Sequence, residues 1–192
     1  NMVGHSMGQF WGYGVMGLFQ SQGEVDGAAT QDAATAGTFR YDDIDGSGAI
    51  DPDDRYFIGN PNPDFTYGLN LVLGYKGFDL TAFFYGSQGH DIFNYNKWWL
   101  DFWPSFQGQK STDLLYNSWT PSNPDATVPM ASNQSNFSTN GVSNSYYVED
   151  GSFFRLKNLQ IGYTFDKAVL GNVFANARIY LQGTNLLTLT QY

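Results

Sequence analysis

The chain has 192 residues, enough for one domain with a sizeable core, and carries 18 acidic against 9 basic residues for a net charge of −9. Basic residues this sparse cannot track a phosphate backbone, which excludes nucleic acid as a partner, and the absence of cysteine excludes disulfides, thiolate metal sites and cysteine nucleophiles. Aromatic residues make up 18% of the chain and charged residues only 14%, against about 25% charged in an average soluble domain, so the surface is short of charge.

No stretch approaches the roughly 18 unbroken apolar residues of a transmembrane helix. Membrane-crossing strands stay open, because they alternate apolar and polar positions and leave no such run. Asn1–His5 has no basic leader and no apolar run, so the expectation is a chain that starts inside a longer one.

Residues 4–19 interleave glycine with Phe10, Trp11, Tyr13, Val15, Met16, Leu18 and Phe19, which fits an edge strand or a packed loop. Residues 20–39 are rich in Ala, Thr, Gln and Gly and read as an exposed excursion with a short helical turn around Gln31–Ala36.

An acidic loop follows. Asp43, Asp45, Ser47, Ala49, Asp51 and Asp54 fall at positions 1, 3, 5, 7, 9 and 12 of the calcium-loop pattern, with Gly48 at position 6 and Ile50 at position 8. Alternate side chains converge as such a backbone curls, the glycine permits the sharp turn, and the carbonyl at position 7 adds a neutral ligand. Ser47 at position 5 and Asp54 in place of glutamate depart from the pattern. Pro52 and the run Asn60–Pro63 exclude an exiting helix. The residues fit a structural Ca2+ site, and they also fit a solvated Asx-turn loop.

From Phe65 the chain alternates with period two. Phe65, Tyr67, Leu69, Leu71, Leu73 and Tyr75 point one way, and Thr66, Gly68, Asn70, Val72 and Gly74 the other. Lys76-Gly77 makes a tight turn. The returning strand then sets Phe78, Leu80, Ala82, Phe84 and Gly86 against Asp79, Thr81, Phe83, Tyr85 and Ser87. Each run meets the roughly 9–11 residues that cross a bilayer with tilt.

Residues 89–141 form a long excursion holding four of the five tryptophans, Trp98, Trp99, Trp103 and Trp119, with Phe102 beside them. A short helix over 96–103 is expected. Such rings serve a ligand or partner surface, or pack the loop and sit in an interfacial aromatic belt.

Two further strands are expected. In 146–165 the clean alternation is Leu159, Ile161, Tyr163 and Phe165 against Asn158, Gln160, Gly162 and Thr164; residues 166–176 form a turn with an apolar middle. The last strand sets Ala177, Ile179, Leu181, Leu187 and Leu189 against Arg178, Tyr180, Gln182, Thr184 and Thr188. Four strands cannot close a barrel, which needs about eight, so the chain is expected to be part of a larger wall. The segments are thus 1–63 (strand and cation loop), 64–88 (hairpin), 89–145 (long loop) and 146–192 (two strands).

Four ordered blocks, GHSMGQFWGYGVMGLFQSQGEV, DIDGSGAIDPDDRYFIGNPNPDFTYGLNLVLGYKGFDLTAFFYGSQGHDIFN, VEDGSFFRLKNLQIGYTF and ARIYLQGTNLLTLTQY, resemble the C-terminal part of SusC/RagA-type TonB-dependent outer-membrane transporters over nearly the whole chain. The resemblance implies an all-β fragment of a large antiparallel transmembrane barrel, about 22 strands around a plug in the full protein, with long extracellular loops. It further implies the outer membrane of a Gram-negative bacterium, import of oligosaccharides or peptides, a SusD-like surface lipoprotein as partner, and energy from the TonB complex acting through parts outside this chain. Phe65, Leu69, Leu71, Leu73, Leu80, Phe84, Ile161 and Leu181 would face lipid, while Asn70, Thr81, Gln160, Gln182 and Thr184 would face the plug or lumen. Trp98, Trp99, Phe102, Trp103 and Trp119 become candidates for ligand or lipoprotein contact. The competing expectation is a soluble, calcium-stabilised β-sandwich that binds carbohydrate. An enzyme is not expected: His5 and His90 lie far apart in loops, and Glu24 and Glu149 are the only glutamates.

Overall fold

The computed structural model describes residues 2–166, 171 and 176–192. The chain divides into two compact units interleaved in sequence, one of Asn1–Pro61 with Asp91–Glu149, the other of Asn62–His90 with Asp150–Tyr192.

The second unit is one antiparallel sheet of four long strands: β5 (Phe65–Tyr75), β6 (Phe78–Gln88), β9 (Phe153–Phe165) and β10 (Ala177–Thr190), in the order β10-β9-β6-β5. They run 11, 11, 13 and 14 residues, about twice an ordinary strand and long enough to cross a bilayer. β5 and β6 close through Lys76-Gly77, both at positive φ (47° and 84°), the backbone of a two-residue hairpin turn. Gly77 is further required because a Cβ there would come within 2.8 Å of the Thr164 carbonyl oxygen.

Register makes one face of this sheet continuous. Leu73, Leu80, Ile161 and Leu181 stand side by side across the four strands, and so do Leu69, Phe84, Leu156 and Leu187. Aromatic residues flank these rows: Tyr75, Phe78 and Tyr163 at the turn end, and Tyr67 and Phe154 at the other. The opposite face carries Asn70, Thr81, Gln160, Gln182 and Thr184.

One expectation about β9 is corrected. The strand starts at Phe153, not Tyr146, because residues 145–147 turn as a 3-10 helix and β8 (Val148–Asp150) pairs instead with β7 (Asp91–Phe93). The pairing of β6 with β9 also shifts by one residue between Phe83 and Phe84, so that Phe83 faces Asn158 and Phe84 faces Leu156. This β-bulge reverses the parity of β9 at Lys157. Leu156 and Phe154 thereby join the apolar face that Leu159, Ile161 and Tyr163 begin. The expected turn over 166–176 lies mostly outside the described residues. Within this unit all four long strands share a single sheet, which is not a sandwich.

The first unit is built from two-stranded ribbons around an aromatic core. β1 (Phe10–Tyr13) pairs with β4 (Arg55–Gly59), and β2 (Val15–Leu18) with β3 (Phe39–Tyr41). Tyr13, Leu18, Phe39, Tyr41, Phe102, Trp119 and Tyr147 are buried together. Residues 20–36 are mostly exposed, as expected of an excursion, but the segment is anchored at Gln31 and at its end, where Thr38 and Phe39 are buried. Gln31 Nε2 donates to the Phe39 carbonyl and to Ser138 Oγ, each at 2.7 Å, while its Oε1 accepts from the Tyr41 amide at 3.0 Å. That amide side chain replaces a missing strand neighbour for β3. The helical turn also falls earlier than expected. It is α1 (Gln22–Gly27), where Ser21 Oγ accepts from the Glu24 amide and the Glu24 carboxylate accepts from the Gln20 amide.

Candidate functional site

The acidic loop links β3 to β4, and its geometry begins with backbone amides. Asp43 accepts from the amides of Ser47 at 3.1 Å and Gly48 at 2.9 Å, and Asp45 accepts from Ser47 at 2.8 Å. Positive φ at Gly46 and Gly48 (69° and 81°) allows this curl. Asp54 is fully buried and closes the loop, accepting from the Ile44 amide at 2.9 Å and the Asp51 amide at 2.8 Å.

Carboxylate oxygens of Asp43, Asp45 and Asp54 lie within 4.8 Å of one another, a spacing compatible with shared coordination of a hard cation. The bond from the Ser47 amide holds the Asp45 carboxyl below its ordinary range, so it stays ionised. Ser47 Oγ donates to the Ala49 carbonyl at 3.0 Å. Asp51 is not among the converging carboxylates: it caps the 3-10 turn Pro52–Asp54, accepting from the Asp53 amide at 2.8 Å. The Thr30 amide donates to the Gly48 carbonyl and the Ile50 amide to the Thr30 carbonyl, both at 2.8 Å, tying the loop to the body of its unit.

The aromatic residues of the long excursion divide by environment. α2 (Tyr95–Leu100) is a single short helix. Trp98 packs flat against Tyr95 at 5.3 Å, and its Nε1 donates to the Asn140 carbonyl at 2.8 Å. With Phe93, Tyr95, Tyr147 and residues 140–143 it lines a cleft of about 240 Å³. Trp99 is exposed and meets Trp98 edge-on at 4.7 Å. Phe102 and Trp119 are core residues; Trp119 Nε1 donates to Gln20 Oε1 at 2.8 Å. The backbone of Trp103 begins a 3-10 turn, and its side chain lies outside the described residues. The exposed aromatic rings beside α2 are thus Tyr95 and Trp99 with Phe106, whose ring lies 6.5 Å from Trp99, and Tyr116 stands exposed farther along the excursion. Sequence reasoning missed Tyr95 and Phe106, since only their position beside α2 marks them.

Lys97 anchors α2: its Nζ lies 2.7 Å from the Glu149 carboxylate and over the Tyr146 ring at 4.6 Å. Asp101, at the end of α2, accepts from Ser111 Oγ and from Tyr146 Oη at 2.8 Å.

No family model matches the chain. Over 98% of its length it is 38% identical to TonB-dependent receptor P3 of Formosa agariphila, covering 18% of that protein. It is 27% identical over 71% of its length to the TonB-dependent receptor SusC of Bacteroides thetaiotaomicron, covering 13% of it. Its fold matches a structure of the RagAB peptide transporter with a TM-score of 0.72 and 26% identity, over 96% of this chain and 19% of that one. The chain spans about a fifth of the length of the relatives it matches. Those relatives are receptors and transporters rather than enzymes.

Proposed function

Because the chain belongs to the SusC/RagA family of TonB-dependent receptors, we propose that it forms a C-terminal part of the barrel wall of a Gram-negative outer-membrane transporter. The observation that carries this reading is the four-stranded sheet of the second unit. Its strands are long enough to span, and one face is aliphatic in the middle and aromatic at both ends. That face meets lipid and the polar face meets the plug or lumen. Strands β5 and β10, at the edges of the sheet, pair with the rest of the barrel, since unpaired backbone groups in hydrocarbon cost several kcal/mol each.

Residues 89–151 leave and rejoin the sheet at one end. Ser87 stands opposite Phe153, the Gly89 amide donates to Ser152 Oγ, and the Gly151 amide donates to the His90 carbonyl. We assign that end to the extracellular side, where such barrels carry their long loops. The transporter imports oligosaccharides or peptides with a SusD-like lipoprotein, which meets the Tyr95, Trp99 and Phe106 surface, and is energised by TonB through parts outside this chain. The 43–54 loop holds a structural Ca2+ through Asp43, Asp45 and Asp54, with the Ala49 carbonyl and Ser47 available to complete the shell.

Uptake assays test the reading. A strain lacking the full receptor is expected to lose import of one oligosaccharide or peptide class and to regain it with the intact gene, and the protein is expected in the outer-membrane fraction. Recovery of the receptor as a soluble protein, with uptake intact in its absence, would overturn it.

A further inference from the structure

The four spanning strands carry only four charged side chains: Asp79, Arg155, Lys157 and Arg178. Asp79 is committed to Arg178. The ion pairs among the described residues are that one and Lys97–Glu149, so Arg155 and Lys157 have no carboxylate partner there. Most of the chain's 18 acidic residues belong to the other unit.

Both cations are positioned on the polar face. Arg155 stands directly opposite Tyr85 of β6 and Thr188 of β10. Its Nε donates to Thr188 Oγ1 at 3.0 Å, and its guanidinium lies 5.1 Å from the Phe153 ring centroid. These contacts use one N–H of the fork and leave the terminal nitrogens for a planar oxyanion. The bulge at 157–158 keeps Lys157 on this side, with its Nζ 5.6 Å from the Tyr85 ring centroid. The two cations flank one ring pair, Tyr85 and Phe153, whose centroids lie 5.8 Å apart, and like charges on one face repel, a cost that an anion bound beside both removes. Arg155 is two residues in from Phe153, the first β9 residue at the end where the long excursion departs.

We propose that Arg155 and Lys157 form an oxyanion-binding step on the transport path, taking a carboxylate carried by the imported molecule. This rests on the transporter reading, which turns the polar face toward the lumen and makes this end extracellular. It adds a substrate class: the cargo is acidic.

The test uses the full-length receptor in detergent, with binding measured by calorimetry for two matched pairs of probes. One pair is trigalacturonate against maltotriose; the other is a tri-glutamate peptide against tri-glutamine. In one pair the acidic member is expected to bind about tenfold tighter than the neutral one, and raised salt is expected to shrink the gap. Arg155→Gln with Lys157→Gln is expected to abolish the gap while leaving the neutral probe unaffected. The pair that responds identifies the carboxylate as glycan or peptide. An acidic preference absent from both pairs, or one that survives the double substitution, would overturn the site. So would a double variant altered in melting temperature alone, which would mean that the cations pair with an acid elsewhere in the receptor. Failure with the receptor still in the outer membrane sinks this site only, whereas a soluble receptor sinks the barrel reading as well.

Discussion

Asp79 of β6 and Arg178 of β10 join across the strand that separates them, Arg178 Nε donating to Asp79 Oδ1 at 3.0 Å and its Nη2 to Oδ2 at 2.5 Å. The crossing passes over Gly162 of β9, where a Cβ would stand 2.5 Å from Arg178 Nη2 and 2.6 Å from Asp79 Oδ1. One missing side chain thus lets a fork-shaped donor reach a carboxylate two strands away. The pair is partly exposed, at 36% and 31%, so screening by solvent weakens it. A double-mutant cycle of Asp79→Asn and Arg178→Gln, read by denaturant unfolding of the full receptor, is expected to return a small favourable coupling. Repeated in a Gly162→Ala background, the cycle is expected to return none. Coupling that survives there would mean that the pair does not need the gap.

The facing of β5 gives a contrast between adjacent residues. Leu71 lies in the row with Ala82, Leu159 and Gly183 on the apolar face, and Asn70 opposes Phe83 on the other. In lipid, Leu71→Arg is expected to cost about 2–4 kcal/mol near the midplane, whereas Asn70→Arg, facing water or plug, costs much less. Folding yields and denaturant midpoints in vesicles would decide it, and equal costs at the two positions would reverse or abolish the assigned faces.

The sheet was legible because its rule is local. A period of two needs only the chain's own order, so β5, β6, the second half of β9 and the faces of β10 can be read directly. Phe154 and Leu156 escaped because the bulge at Lys157 shifts parity, and only the register against β6 reveals it. Gln31 and Phe39 were misread for a different reason. Their surroundings are polar and small in sequence, and both bond to Ser138, which is 107 residues from Gln31. Among the candidate site residues, Asp43 and Asp45 converge as the spacing requires. Phe102 and Trp119 went into the core, a choice that ring type alone does not encode.

The acidic loop makes a metal-dependent prediction. Calcium added to the full receptor is expected to raise its melting temperature, and chelator to lower it. Asp43→Asn and Asp45→Asn should abolish the response, and Asp51→Asn, whose side chain caps the following turn, should keep it. The folded loop holds the Asp45 carboxyl below its ordinary value of 3.8. Its contribution is therefore complete above that pH and is lost as acid protonates it, and the calcium response should fade in the same direction. A melting temperature indifferent to calcium at neutral pH would sink the metal assignment.

Neighbouring tyrosines in the first unit predict opposite effects for the same substitution. Tyr146 Oη donates to Asp101 Oδ2 at 2.8 Å, and Asp101 is buried. Removing that hydroxyl strips a buried carboxylate of a partner, so Tyr146→Phe is expected to cost about 1.5–3 kcal/mol. The Tyr147 hydroxyl is buried with no hydrogen-bond partner among the described residues, so Tyr147→Phe is expected to be neutral or stabilising by about 1 kcal/mol. Burial raises the pKa of both hydroxyls, and of Tyr41, above the ordinary 10.0. Stability from their neutral forms is complete below that pH and drains away as pH rises above it, because only the unfolded chain ionises them readily. Alkaline unfolding followed by tyrosinate absorbance should therefore show a late group that ionises together with loss of structure. In Tyr147→Phe the unfolding midpoint should move to higher pH. A Tyr147→Phe receptor as destabilised as Tyr146→Phe would mean that the hydroxyl is bonded in the whole protein, and the opposition between the two neighbours would fall.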